Sequence, residues 1–292
     1  MATVVGDLDS IIQVTTAEVE LTSRQDVLMR GLVDVRTFPR NKGNPLDRPK
    51  LGKLTAYDLT EGVEIANEQV YSDTDVSINP TEVGLLTILT RRTLGRAPAG
   101  FQQQCVQENK RAYGEKLEKD LLALFSGFSG GLSGANAALT FGQVGAYITQ
   151  MRGASEPGPR PHYGVLHPNH TWDVRSAIMG LTTGSGLVLG TGGIIAPENP
   201  NKAMRESSIG SLLGVPMYES GLINVDSSDD AYSAVFSKYA IMLYINEEGM
   251  MDKQWNARRR AWDLVYTGEY AAVEWVDSYG RYLLADATAP TA

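Results

Sequence analysis

The run Gly127-Phe128-Ser129-Gly130-Gly131 has the G-x-S-x-G spacing that exposes a nucleophilic serine in hydrolases. That chemistry needs a strand, a sharp turn and then a helix, so that the serine is strained and open to substrate. Here a long amphipathic run precedes the motif and loop-like sequence follows it. Glycines just past a helix suit its left-handed cap, so Ser129 reads as a helix end. His162, His167 and His170 are the only histidines. Asp173 is the nearest carboxylate to the last pair, and no H-E-x-x-H pattern accompanies them, so a strand-end pair with local hydrogen bonds is expected instead of a zinc site. The glycines of "GSGLVLGTGGIIA" miss the third position of a dinucleotide fingerprint and follow no strand. Cys105 sits in an apolar stripe without a basic neighbour, which predicts an inert thiol. Arg258, Arg259 and Arg260 could touch phosphate, but an acidic chain makes pairing between subunits their expected use. No metal, cofactor or catalytic residue is assigned.

The elements that would position these residues follow from pattern. The chain has 292 residues, 42% hydrophobic and 21% charged, with a net charge of −8. Such a composition is globular, and the charge argues against a surface built to grip nucleic acid. One cysteine excludes an internal disulfide framework. No segment is long and apolar enough to span a bilayer as a helix.

Residues 1–33 carry a faint helical stripe through Val19, Val27 and Leu28 and read as an arm. Residues 34–75 form an excursion. Pro39, Gly43, Pro45, Pro49 and Gly52 exclude helix there and mark repeated turns. Its flanks look extended, so a long hairpin without a core of its own is expected. Its charge is segregated. Arg36, Arg40, Lys42, Arg48, Lys50 and Lys53 come first, and Asp58, Glu61, Glu64, Glu68, Asp73 and Asp75 follow. An arm docking on an oppositely charged neighbour would use that order.

"DVSINPTEVGLLTILTRRT" alternates as strands do. A helix is expected from Pro98 to Phe128, with apolar residues at spacings of three and four and Gly114 as a candidate bend. From about 135, helices and strands alternate as in a separate α/β lobe. Thr140 is a candidate cap for a helix over "FGQVGAYITQMR", "RPHYGVLHP" is a buried strand, residues 180–205 are a loop and "DSSDD" is a polar tip. "YSAVFSKYAIMLYI" reads as one strand. Residues 246–292 return to strand-like sequence.

In this order the parts resemble a tailed-phage major capsid protein of the Hong Kong 97-type fold. "LTEGVEIANEQVYSDTDVSINPTEVG", "YGEKLEKDLLALFSG", "YGVLHPNHTWDV", "IGSLLGVPMYES" and "VFSKYAIMLYINEEG" carry the resemblance, which runs through nearly the whole chain. It implies an α+β fold with an N-terminal arm (1–33), an extended loop lapping a neighbour (34–75) and a peripheral domain with a long spine helix (76–134). An axial domain (135–245) follows, with strands returning to the peripheral domain (246–292). Either the 180–205 loop or "VDSSDDA" would be the axial tip.

The resemblance implies a structural subunit that self-assembles as hexamers and pentamers into an icosahedral virion capsid and encloses double-stranded DNA. Scaffold, portal and decoration proteins would be its partners, and a separate scaffold would be needed. An acidic shell would face DNA without specific binding. The family sometimes cross-links subunits through Lys and Asn; Lys42, Lys50 and Lys53 lie in the matching loop, but no partner is identified and no cross-link is expected. Arg40, Lys42, Arg48, Lys50 and Lys53 are the basic candidates for subunit contact, and Asp58, Glu61, Glu64 and Glu68 the acidic ones. An encapsulin-type compartment shares the fold. A serine hydrolase using Ser129 is the rival from another class.

Overall fold

The computed structural model describes residues 27–37, 46–58, 61–62, 64, 73–97, 100–129, 133–183 and 210–290. Two sheets and one long helix organise the body. The first sheet has the order β1 (Asp34–Thr37), β10 (Ile241–Asn256), β11 (Ala261–Glu274), β4 (Thr81–Thr90). β1 runs parallel to β10, and the other pairs are antiparallel. The second sheet has the order β5 (Ser133–Gly134), β12 (Gly280–Asp286), β9 (Asp230–Ser237), β6 (His162–Leu166), β8 (Val215–Glu219), β7 (Ser211–Leu212). A detached hairpin pairs β2 (Leu46–Leu51) with β3 (Asp73–Ile78).

The long helix α3 (Phe101–Ala123) ends in a 3-10 turn, Leu124–Gly127. It starts at Phe101 and not at the expected Pro98, because Gly100 takes the left-handed conformation (φ 89°) that no helix residue can hold. Before it, α2 (Arg91–Arg96) is capped by the Thr90 side chain, which accepts from Thr93 N–H at 3.1 Å. α3 packs on one face of the first sheet. Tyr113 meets Tyr266 and Tyr270 at ring separations of 5.2 and 6.0 Å. A Cβ on Gly268 would run into the Tyr113 ring, so the strand needs glycine there.

The second sheet is covered on both faces, which explains why β9 is buried along almost its whole length instead of alternating. Ala234 and Phe236 face the core shared with Leu121, Phe125 and Phe128 of the spine. Val235 faces a second core built by α4 (Phe141–Arg152), with Val144, Ile148 and Met151, and by Val174 of α5 (Pro168–Thr183). Thr140 caps α4 as expected, in a reciprocal capping box with Gln143.

Two expectations change. "YSAVFSKYAIMLYI" is not one strand: it breaks at Ser237–Ala240, where Ala240 N–H reaches Ser237 O at 2.9 Å and Lys238 N–H reaches Pro161 O at 3.0 Å. β9 thus ends in the second sheet and β10 begins in the first, so a lobe boundary at 245 falls inside β10. Residues 246–292 do not all return to the peripheral sheet either. β12 pairs with β9 throughout, Gly280 opposite Phe236 to Asp286 opposite Asp230. The chain therefore crosses between the sheets three times, through the spine after β4, after β9 and after β11.

The end of the expected arm lies on its own subunit. α1 (Met29–Leu32) buries Met29 and Leu32 against the spine. Its free N–H groups are met by a carboxylate from α3: Glu118 accepts from Leu28 N–H at 3.1 Å and from Met29 N–H at 2.9 Å. Burial pushes the Glu118 carboxyl above the usual carboxylate range, and these N–H bonds oppose the shift. Glu118→Ala is expected to cost about 1–3 kcal/mol, the penalty for orphaned buried donors. Hydrogen exchange at residues 28–33 should speed up well beyond the rest of the chain. Residues 1–26 lie outside the described residues.

Candidate assembly interface

The hairpin β2–β3 leaves the body from a small apolar base. Leu46 and Ile78, paired across it, pack against Met242, Tyr244, Ala271, Val273 and Trp275 on the face of the first sheet that α3 does not cover. Beyond β2, residues 52–58 have no helix or strand pairing and every side chain is exposed, including Leu54 at 41% and Tyr57 at 57%.

The charged candidates divide. Arg40, Lys42 and Glu68 lie outside the described residues. Arg48 is engaged within its own subunit: its guanidinium donates to the Tyr244 hydroxyl and lies 5.7 Å from the centre of the Trp275 ring. Lys50 stands opposite Thr74 in the hairpin. Lys53 Nζ donates to Ser155 O at 3.0 Å, an exposed contact. Asp58, Glu61 and Glu64 are exposed. Among the described residues of one subunit, no ion pair joins a basic candidate to an acidic one. The Arg258–Arg260 run forms the exposed turn between β10 and β11, and Arg91 N–H bonds Arg260 O at 2.9 Å beside it.

The chemistry-bearing residues sit in structural roles. Ser129 follows the 3-10 turn, with its hydroxyl and its N–H both donated to the Asp277 carboxylate. Arg281 Nη1 donates to Ser129 O at 3.2 Å. No histidine is bonded to Ser129, and the group that accepts from its hydroxyl is the Asp277 carboxylate, a weak base. Cys105 is half-buried and burial pushes its thiol up. The 180–205 loop lies outside the described residues from 184 on. Among the described residues no His, Cys, Asp and Glu cluster could hold a metal ion, and no helix is long and apolar enough to cross a membrane.

The histidine pair holds a buried hydrogen-bond chain that the sequence does not reveal, since Ser233 is far from both. His170, fully buried, bonds Ala285 O through Nε2 at 3.0 Å and Ser233 Oγ through Nδ1 at 2.8 Å. Nε2–H donates to the carbonyl, so Nδ1 accepts from the serine hydroxyl. Ser233 Oγ in turn accepts His167 N–H at 3.0 Å. The chain ties α5 to β9 and β12 and leaves Ser233 no access to solvent, which excludes it as a nucleophile.

Burial lowers both imidazoles: His167 is pushed down to about 4, with His170 as a lesser cause, and His170 is lowered by its burial. Each is neutral in the fold. Unfolded histidine titrates near ~6.5, so between that pH and about 4 the unfolded chain binds more protons. Stability is therefore whole above pH ~6.5 and falls as pH drops through this window, by up to about 1.4 kcal/mol per pH unit from His167, with His170 adding in the same direction. Denaturant midpoints at several pH values should show this slope, and His167→Gln should flatten it.

The described residues thus combine a spine helix packed on one sheet, an α/β lobe around a second, and a hairpin whose strands pair only with each other. No family model and no curated protein matches the sequence. The fold is nonetheless that of tailed-phage major capsid proteins. The chain is similar to the structure titled for Mycobacterium phage Che8, with TM-score 0.70, 12% identity, and 93% of this chain and 96% of that one covered. It is similar to the capsid structure of cyanophage P-SCSP1u, with TM-score 0.70, 13% identity and coverage of 97% and 95%. For the head structure of Helicobacter pylori bacteriophage KHP40 the values are 0.69, 12%, 92% and 94%.

Proposed function

We propose that this chain is a major capsid protein whose copies assemble, as hexamers and pentamers, into the icosahedral head of a tailed bacteriophage around double-stranded DNA. The observation that carries the reading is the projecting β2–β3 hairpin. It has an anchored base and an exposed tip bearing Leu54 and Tyr57, on a fold shared over more than nine-tenths of its length with phage capsid structures. A hairpin that finds no core in its own subunit gains order by lapping over another copy. Such contacts are heterologous, and around local rotation axes they close into rings and then shells.

Lys50 and Lys53 remain the basic candidates for contact between copies, and Asp58, Glu61 and Glu64 the acidic ones. Arg40, Lys42 and Glu68 belong to the same proposed set by sequence. Arg48 holds the hairpin to its own body, so its role is to aim the tip. The role is structural and not catalytic, the location is the virion, and scaffold, portal and decoration proteins are its further partners. A chain with net charge −8 would face packaged DNA by repulsion and not by specific binding.

Electron microscopy of the purified, concentrated chain, alone and with a scaffold, tests the reading. Closed shells are the expected result, and their contents separate the phage head, holding DNA, from an encapsulin-type compartment, holding protein. A chain that stays monomeric under every condition would overturn it.

A further inference from the structure

Beside the edge of the second sheet lies an open cavity that the shell reading does not use. Its volume is about 470 Å³, within the range of small-molecule sites. The end of α4, the start of β6 and the β7–β8 turn border it. Arg152, Arg160 and His162 supply its polar lining, and Pro161, Leu213 and Pro216 its apolar wall. No carboxylate lines it among the described residues. Glu156, in the loop between the two arginines, forms no ion pair with either.

The polar groups are held in place and left short of partners. Leu213 and Gly214 alone join β7 to β8, with φ of 51° and 75°, the tight turn in which both central residues are left-handed. A leucine is strained in that region. The turn offers Leu213 O to Arg152 Nη2, which donates to it at 3.0 Å. Arg152 Nε is shielded from solvent and donates to nothing among the described residues. A guanidinium so poorly solvated gains more from a counter-ion than a fully exposed one does. Arg160 is exposed and has no ion pair among the described residues either. His162 is buried and fixed from behind. Its Nε2–H donates to Gly158 O at 2.9 Å, which leaves Nδ1 as the acceptor of the ring.

We propose that this cavity binds a phosphate monoester of about mononucleotide size. Arg152 and Arg160 meet the phosphate, Pro161, Leu213 and Pro216 flank the apolar body, and a ligand hydroxyl donates to His162 Nδ1. A phosphate monoester carries nearly two charges on three strong acceptor oxygens, which suits two guanidiniums better than a single carboxylate does. The cavity is larger than a bare phosphate needs, so a ligand with a body behind its phosphate is favoured. The site goes beyond the shell reading and does not depend on it.

Calorimetric titration of the full chain with AMP tests the proposal. Saturable binding at one site per chain is expected, with a Kd below about 1 mM. Adenosine, which lacks the phosphate, should bind at least tenfold more weakly. Arg160→Gln, a change at an exposed position that breaks no described contact, should weaken AMP binding at least tenfold. Arg258→Gln, which removes an exposed arginine elsewhere, should leave the Kd within about twofold of the parent, a difference of about 0.4 kcal/mol. Heat that never saturates, adenosine binding as tightly as AMP, full affinity in Arg160→Gln, or an equal loss in Arg258→Gln would overturn the site. Micrographs of the same preparations read the shell separately. Shells without AMP binding overturn this site alone, and AMP binding by a chain that never forms shells overturns the shell reading alone.

Discussion

Phe236→Ala is expected to lower the stability of the subunit by about 3–5 kcal/mol, a large share of what holds a typical domain together. Phe236 is fully buried on β9, just before the chain leaves the second sheet. Its ring lies 5.5 Å from Phe125 and 6.5 Å from Phe128, and those two are 6.4 Å apart. The cluster joins the end of the spine helix to the strand that passes between the sheets. Phe128 also lies against β12: a Cβ on Gly280 would be 2.6 Å from its ring. Removing one ring deletes its transfer free energy, leaves a cavity and loses two aromatic contacts. The neighbours cannot close on the gap, because the spine helix and the crossings after β9 and β11 fix their positions. Thermal unfolding should shift down by about 10 °C. Phe236→Leu should lose less than half as much. A melting point within about 2 °C of the parent would show that the junction is packed differently.

Local rules reached the elements that local sequence controls. The apolar spacing from Phe101 to Phe125 marked the spine, because only a helix brings those positions to one side. Thr140 and Gln143 marked the start of α4, because a capping box is written within four residues. The strand sequence after 246 was legible as strand, but not its destination. Tyr282, Leu283 and Leu284 would suit either sheet, and the choice is made by pairing with β9 far away in sequence. The break at Ser237–Ala240 carries no glycine or proline, so an unbroken apolar run concealed a change of sheet. Glu118, a charged residue within the spine, is fully buried because the groups that reward its burial, the N–H groups of Leu28 and Met29, arrive from outside the helix. His170 with Ser233 was hidden for the same reason. Of the candidate interface, the segregated charge of the excursion was visible at once.

Replacing residues 52–72 by a short Gly-Ser turn is expected to leave the subunit folded and to abolish its shells. The folded body does not depend on the tip. β2 and β3 pair only with each other, and their apolar contribution to the core is made by Leu46 and Ile78, which the replacement keeps. No side chain from 52 to 58 is buried. A shorter loop also costs slightly less to close, by roughly 1 kcal/mol at most. The melting point should therefore stay within about 3 °C of the parent. Assembly responds differently, because in the proposed shell every copy would both extend one tip and receive another. A lost contact is then lost at each subunit of a closed lattice, and each ~1.4 kcal/mol weakens every such association tenfold. Light scattering and micrographs should show at least about a hundredfold fewer particles, the consequence of about 2.8 kcal/mol per contact. Shells at the parental yield would mean that some other surface joins the copies. A loss of helical circular dichroism would mean that the tip belongs to the subunit's own fold. The expected pairing, an intact monomer that cannot close a shell, is the behaviour of a part whose stability and function reside in different segments of one chain.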